Sequence, residues 1–278
     1  MPEAIKPSSN SILTVEAIRR VIQHNSIAAL ATLVSAQRGV GAKMLIDEEG
    51  ARTGSLGDIE LDEAVARQAS VFLANRAEAH TYTVKDFAAE LEEWLDARVL
   101  FERIEPEPHL VICGAGHVGA SLARLARAVG YRTTLIDDRA DFVTRERFPD
   151  EQIELVAATS WTQAVSEAIG AGRGVSVAVV TRGHNEDEEC MRAVVRARPD
   201  YIGLIGSRRR TNIVLERLRD DGADEDLLKE VRAPIGLDIG AVSPEEVALA
   251  ILAEIIAERR GGAGTPLSAF RRNAGTRT

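Results

Sequence analysis

Lysine is scarce: only four of the 34 basic residues are lysines, so arginine carries nearly all the positive charge. There is no Walker loop with its phosphate-binding lysine and no tyrosine–lysine pair at short-chain dehydrogenase spacing. A nucleophile elbow and a zinc cluster are also missing. Aromatic residues make up 4% of the chain, which leaves the core to Ala, Val, Ile and Leu. The two cysteines, Cys113 and Cys190, fall at a strand end and in a helix; they make neither a disulfide framework nor a paired metal-ligand spacing, as expected in a reducing cytoplasm. No apolar run approaches membrane-spanning length, and the opening MPEAIKPSSNSIL lacks a basic-then-apolar signal pattern. The expectation is a soluble cytoplasmic protein without a membrane partner. A net charge of −9 argues equally against nucleic acid.

What remains is enough for a sizeable core. The 278 residues, 45% hydrophobic and 28% charged, suit two soluble domains better than one. Residues 1–10 read as a loose tail, followed by a helix over 12–25 with Thr14 as its N-cap. Strands are expected at 27–36 and 42–51, a helix at 61–76, and further strands at 80–84 and 97–105. Together they make a small mixed α+β domain. Pro106 and Pro108 interrupt any regular element, which places the boundary there: 1–106, then 107–262, then a disordered tail over 263–278.

From residue 109 strands and helices alternate. Apolar strands are expected at 109–113, 131–137, 153–158, 175–181 and 201–206, helical stretches follow the first, third, fourth and fifth at 117–130, 160–172, 186–198 and 208–221, and a last helix spans 244–259. Near-continuous apolar strands are those of a parallel sheet covered on both faces. The fold class is α/β: a Rossmann-like, doubly wound domain behind the small α+β domain.

Four stretches carry candidate chemistry. HLVICGAGHVG, 109–119, runs a strand into Gly114, Gly116 and Gly119. This spacing gives a tight turn, close backbone approach to phosphate and close helix–strand packing. Asp137 closes the second strand where a carboxylate would bond a ribose hydroxyl; Asp138 and Arg139 follow it, and His117 opens the helix. The other reading is a structural glycine turn with surface charges.

TRGHNEDE, 181–188, follows the fourth strand, where His184 with Glu186 and Asp187 would bind a metal or move a proton, or else form a charged helix start. IGSRRRTN, 205–212, places Gly206 at a strand exit, Ser207 at an N-cap and Arg208 and Arg209 in the first turn, where the helix dipole disfavours cations. A bound anion or a planar heterocycle would resolve that conflict; a solvated basic run is the alternative. In PIGLDIGAVSPEE, 234–246, Ser243, Pro244 and Glu246 form a capping box, and Asp238 sits in a glycine-rich loop before it.

Lined up, ICGAGHVG, LIDDRADFVTRERFPD, TRGHNEDE, YIGLIGSRRR and PIGLDIGAVSPEEVALAI resemble the xanthine dehydrogenase accessory (XdhC/CoxI) proteins over residues 109–260. GAKMLIDEEGARTGSLGD, 41–58, is similar to the family's first domain. The resemblance implies binding of molybdopterin (molybdenum cofactor), in a mononucleotide or dinucleotide form, and its delivery to a molybdenum hydroxylase client. It also implies a cysteine desulfurase as a second partner. A family cysteine falls where this chain has Glu60, and a second is replaced within WLDAR, 94–98, so a sulfur-relay role through those thiolates is not expected.

The sequence therefore reads as a cofactor-binding maturation chaperone rather than a turnover enzyme, with a homodimer as its expected assembly. Gly114, Gly116, His117 and Gly119 would hold phosphate and Asp137 a ribose; Arg208 and Arg209 would face anionic atoms, with His184 and Asp238 across the cleft. Two other readings stay open: an NAD(P)-dependent oxidoreductase using the same loop, and a nucleotide-sensing module without catalysis.

Overall fold

The structure is a computed structural model that describes residues 9–268 except 76 and 171. Most of both expected tails lies outside the described residues; Ser9 and Asn10 of the first already belong to a helix that runs through Thr14, which is therefore not its N-cap, and the described part of the second, 263–268, has no helix or strand. The chain divides into two compact units, Met1–Pro106 and Glu107–Thr278.

The first unit runs α1 (Ser9–Gln23), β1 (Ala28–Ser35), β2 (Lys43–Asp47), β3 (Arg52–Ser55), α2 (Ile59–Ala74), β4 (Ala79–Thr83) and β5 (Arg98–Ile104). Its antiparallel sheet has the order β3-β2-β1-β5-β4. The central strand β1 is apolar on both faces because both are covered. Ala29, Ala31 and Leu33 face a core with Leu61, Val65 and Phe72 of α2. Ala28 and Leu30 face Ala17 and Val21 of α1.

No strand is expected from the sequence at β3. Its RTGS has one glycine and no large apolar residue, and its place in the sheet comes from pairing with β2. Edge strands of this kind carry little periodic signal.

The second unit runs β6 (His109–Cys113), α3 (His117–Ala128), β7 (Arg132–Asp137), β8 (Ile153–Ala157), α4 (Trp161–Ile169), β9 (Val175–Val179), α5 (His184–Ala197), β10 (Tyr201–Leu204), α6 (Arg208–Asp220), α7 (Glu225–Glu230) and α8 (Pro244–Arg260). All pairings are parallel, in the order β10-β9-β6-β7-β8. Side chains of β6 alternate: Leu110 and Ile112 pack with α3 and α8, whereas Val111 and Cys113 pack with α4 and α5. The sheet is thus doubly wound. The chain reverses direction across the sheet between β6 and β9, which opens a crevice at their carboxyl ends.

A polar ladder crosses this apolar sheet. Arg132 donates to His109 Nδ1 at 2.7 Å, His109 Nε2 lies 2.8 Å from Thr134 Oγ1, and Thr134 donates to Glu154 at 2.8 Å. Arginine only donates, so Nδ1 accepts and the imidazole proton sits on Nε2. Burial, helped by Arg132, lowers the His109 pKa to about 4, which keeps the ring neutral.

Candidate functional site

The crevice is a cleft of about 300 Å³ whose lining includes Gly114, Gly116, His117, Asp137, Asp138 and Arg139. Facing them are Trp161, Val180, Thr181, Arg182, Glu186, Ile205 and Pro244. Each glycine of the loop has its own steric reason. Gly114 has φ +114°, and a Cβ there would stand 2.6 Å from the Val180 carbonyl oxygen. At Gly119 a Cβ would fall 1.8 Å from the Gly114 carbonyl oxygen, so the helix can pack this closely only without a side chain. Gly116 differs: it is the N-cap of α3 with no side-chain cap, and a Cβ there would meet nothing within 4 Å. Open space in front of uncapped helix amides is the geometry that receives an anion.

The loop is held by side chains from the end of β7 and the segment after it. Asp137 Oδ2 accepts from the Ala115 amide at 2.7 Å, and Arg147 reaches the Ala115 carbonyl at 3.3 Å. Asp137 also accepts a two-pronged contact from Arg139, at 2.8 and 2.9 Å, and the Arg139 amide at 3.0 Å. Arg139 in turn lies over the Phe142 ring, 3.5 Å from its centroid. Burial alone would push the Asp137 carboxyl up, but Arg139 and the two backbone amides outweigh it and hold the group below the usual carboxylate range. Both oxygens of the expected ribose-reading residue are thus already engaged within the chain.

The rim is wired differently. Asp138 pairs with Arg182 at 2.9 Å, and Arg182 reaches Glu186 in the first turn of α5 at 3.2 Å. Neither Arg182 nor Trp161 stands out in the sequence. Arg182 lies inside TRGHNEDE but carries no motif of its own, and Trp161 reads as an ordinary apolar residue in a helix.

The remaining candidates do not line this cleft. Asp187 turns inward: it is fully buried, accepts from Thr181, and pairs with Arg210, whose Nε is 2.9 Å away. Burial pushes its carboxyl up, against the pull of Thr181 and Arg210. His184, Arg208, Arg209 and Asp238 are exposed, and Gly206 and Ser207 precede α6, where Ser207 as N-cap accepts from the Arg210 amide at 3.3 Å. Among the described residues no group of three or more His, Cys, Asp or Glu side chains is placed to hold a metal ion. Cys113 and Cys190 are both buried in the apolar core, where no ligand in the cleft meets them, and burial pushes the Cys190 thiol up. No described helix is long and apolar enough to cross a membrane.

A doubly wound sheet with a glycine loop at its crossover defines a Rossmann-type ligand-binding domain. Residues 110–255 match the XdhC Rossmann domain and residues 21–83 match the XdhC and CoxI family, and the chain belongs to that family. It is 32% identical over 162 residues to a protein of Bacillus subtilis named as a probable xanthine dehydrogenase subunit, covering 58% of this chain and 46% of the relative. It is 28% identical over 111 residues to the molybdenum cofactor insertion chaperone PaoD of Escherichia coli, covering 38% of this chain and 35% of PaoD. The matched stretch thus spans less than half the length of these curated relatives. A crystal structure described as a xanthine dehydrogenase from Bacillus halodurans has the same fold, with a TM-score of 0.50 at 18% identity, covering 92% of this chain and 98% of that one.

Proposed function

We propose that this chain is an accessory protein that binds molybdenum cofactor in the cleft of its second unit and passes it to a molybdenum hydroxylase of the xanthine dehydrogenase or CO dehydrogenase type. Family membership across the whole Rossmann domain carries this reading, together with PaoD, a relative named as a cofactor insertion chaperone. The cleft supports it on physical grounds. Its loop offers open space and helix amides for the phosphate end of the cofactor, with Gly114, Gly116 and His117 on one wall and Arg182 on the other. The cofactor would bring the molybdenum and its dithiolene sulfurs; this chain adds no thiolate to them. Its residues bind and shield a cofactor that does its chemistry elsewhere.

Chaperone action of this kind needs no general base in the cleft. It needs a phosphate grip that can be released when the client competes for the cofactor. The test is native mass spectrometry with metal analysis on protein purified from its own host. A bound mass matching a molybdopterin species supports the reading, and a bound NAD(P) with no molybdenum overturns it.

A further inference from the structure

Among the described residues two arginines line the cleft, and they are not equivalent. Arg139 is committed to the fold: it makes two contacts to a carboxylate that is 1% exposed, and its guanidinium is stacked on Phe142. Moving it onto a ligand would strand a buried charge. Among the described residues Arg182 pairs with rim carboxylates alone. Its side chain is 48% exposed, and its acids, Asp138 and Glu186, are 32% and 22% exposed. Solvent-facing ion pairs of this kind are weakly held and exchange partners readily.

The position of Arg182 adds to the contrast. Its partners stand on opposite walls, Asp138 just past β7 and Glu186 in the first turn of α5, so the guanidinium bridges the cleft that contains the open space at Gly116. Two carboxylates hold one guanidinium, an arrangement that a phosphate can replace with better charge and fork geometry.

We infer that Arg182 is the phosphate-reading residue of this cleft, held ready by Asp138 and Glu186 and transferred to a phosphate group when the ligand enters, while Asp137 and Arg139 only position the loop. The ligand class is a phosphate monoester or pyrophosphate presented end-on to the glycine loop. The assignment rests on reading the cleft as the site of the cofactor's phosphate end. It gives the three rim residues opposite signs: Arg182 contributes affinity, and Asp138 and Glu186 oppose it by competing for the guanidinium and repelling the anion.

The test is calorimetric titration of the full chain with inorganic pyrophosphate at low ionic strength, alongside a thermal melt of each variant. Arg182→Gln is expected to weaken binding at least tenfold and Arg182→Lys to recover part of it. Asp138→Asn and Glu186→Gln are expected to tighten binding two- to fivefold. If Arg182→Gln melts early, the two acid variants carry the test alone, because damage to the fold cannot strengthen binding. Unchanged affinity in Arg182→Gln, or weakening in both acid variants, overturns the inference. So does a wild-type chain that takes up no pyrophosphate. Gly116→Val then tells the two readings apart: if it abolishes uptake of purified molybdenum cofactor while Arg182→Gln does not, the cleft stands as the cofactor site and only the assignment of Arg182 fails.

Discussion

At the floor of the cleft Asp137 is buried, braced by the Ala115 amide and by Arg139, and its carboxyl is held below the usual range. One residue later, at the rim, Asp138 is exposed and shares Arg182 with Glu186. The two carboxylates are chemically identical neighbours, each within reach of an arginine, and burial together with the two backbone amides on Asp137 separates their roles. A desolvated pair cannot change partners without leaving a charge unpaired, so it serves as scaffold. A solvated pair costs little to break, so it is free for a ligand.

That contrast can be broken at several points. The glycine loop gives the largest effect. Gly119→Val would drive a side chain into the Gly114 carbonyl, and a loss of about 3 kcal/mol or more is expected in urea unfolding. Gly116→Val meets open space and should cost about 1 kcal/mol, the scale of replacing glycine by a poor N-cap residue. At the two carboxylates, Asp137→Ala should destabilise by about 3 kcal/mol, the low end for a buried pair because Arg139 is one-third exposed. Asp138→Ala should stay within about 0.5 kcal/mol. Equal losses for the two would end the distinction between floor and rim.

Acid is the next probe of the interior. His109 titrates at about 4 in the fold against 6.5 when free, so between these values the unfolded chain binds a proton that the native chain refuses. Stability should therefore fall as pH drops from 6.5 towards 4, by up to about 3 kcal/mol, and His109→Gln should flatten that part of the profile. A smaller effect is expected at Tyr201, whose hydroxyl donates to Glu254 at 2.6 Å while Glu254 also accepts from the Gly236 amide at 2.8 Å. Tyr201→Phe should cost about 1 kcal/mol by chemical denaturation and leave pyrophosphate binding unchanged.

How much of the molecule is legible in its sequence differs between the two units. In the second unit the five apolar strands, the glycine loop and the Ser243 capping box are local patterns, and each is present in the structure. The α7 helix has no such signature: its six residues, EDLLKE, are too short to show a period. In the first unit β3 is hidden because only its pairing with β2 makes it a strand. At the site, the loop glycines are legible because their spacing is itself the signal. What stays hidden depends on burial and on contacts across the sheet. Asp137 turned towards Ala115, Asp187 turned inward to Arg210, and Arg182 reaching 44 residues back to Asp138 all need the tertiary fold to be seen. Arg208 and Arg209 show the converse. Their odd place on a helix start is plain in the sequence, yet neither lines the cleft.

The most direct measurement of the central claim is a titration of the purified full chain with isolated molybdenum cofactor, run beside NAD and repeated with Gly116→Val. The expected result is saturable binding of the molybdenum cofactor, weak or absent binding of NAD because Asp137 is already engaged, and loss of cofactor binding in a variant that remains folded. Tight NAD binding with no uptake of the molybdenum cofactor would contradict it.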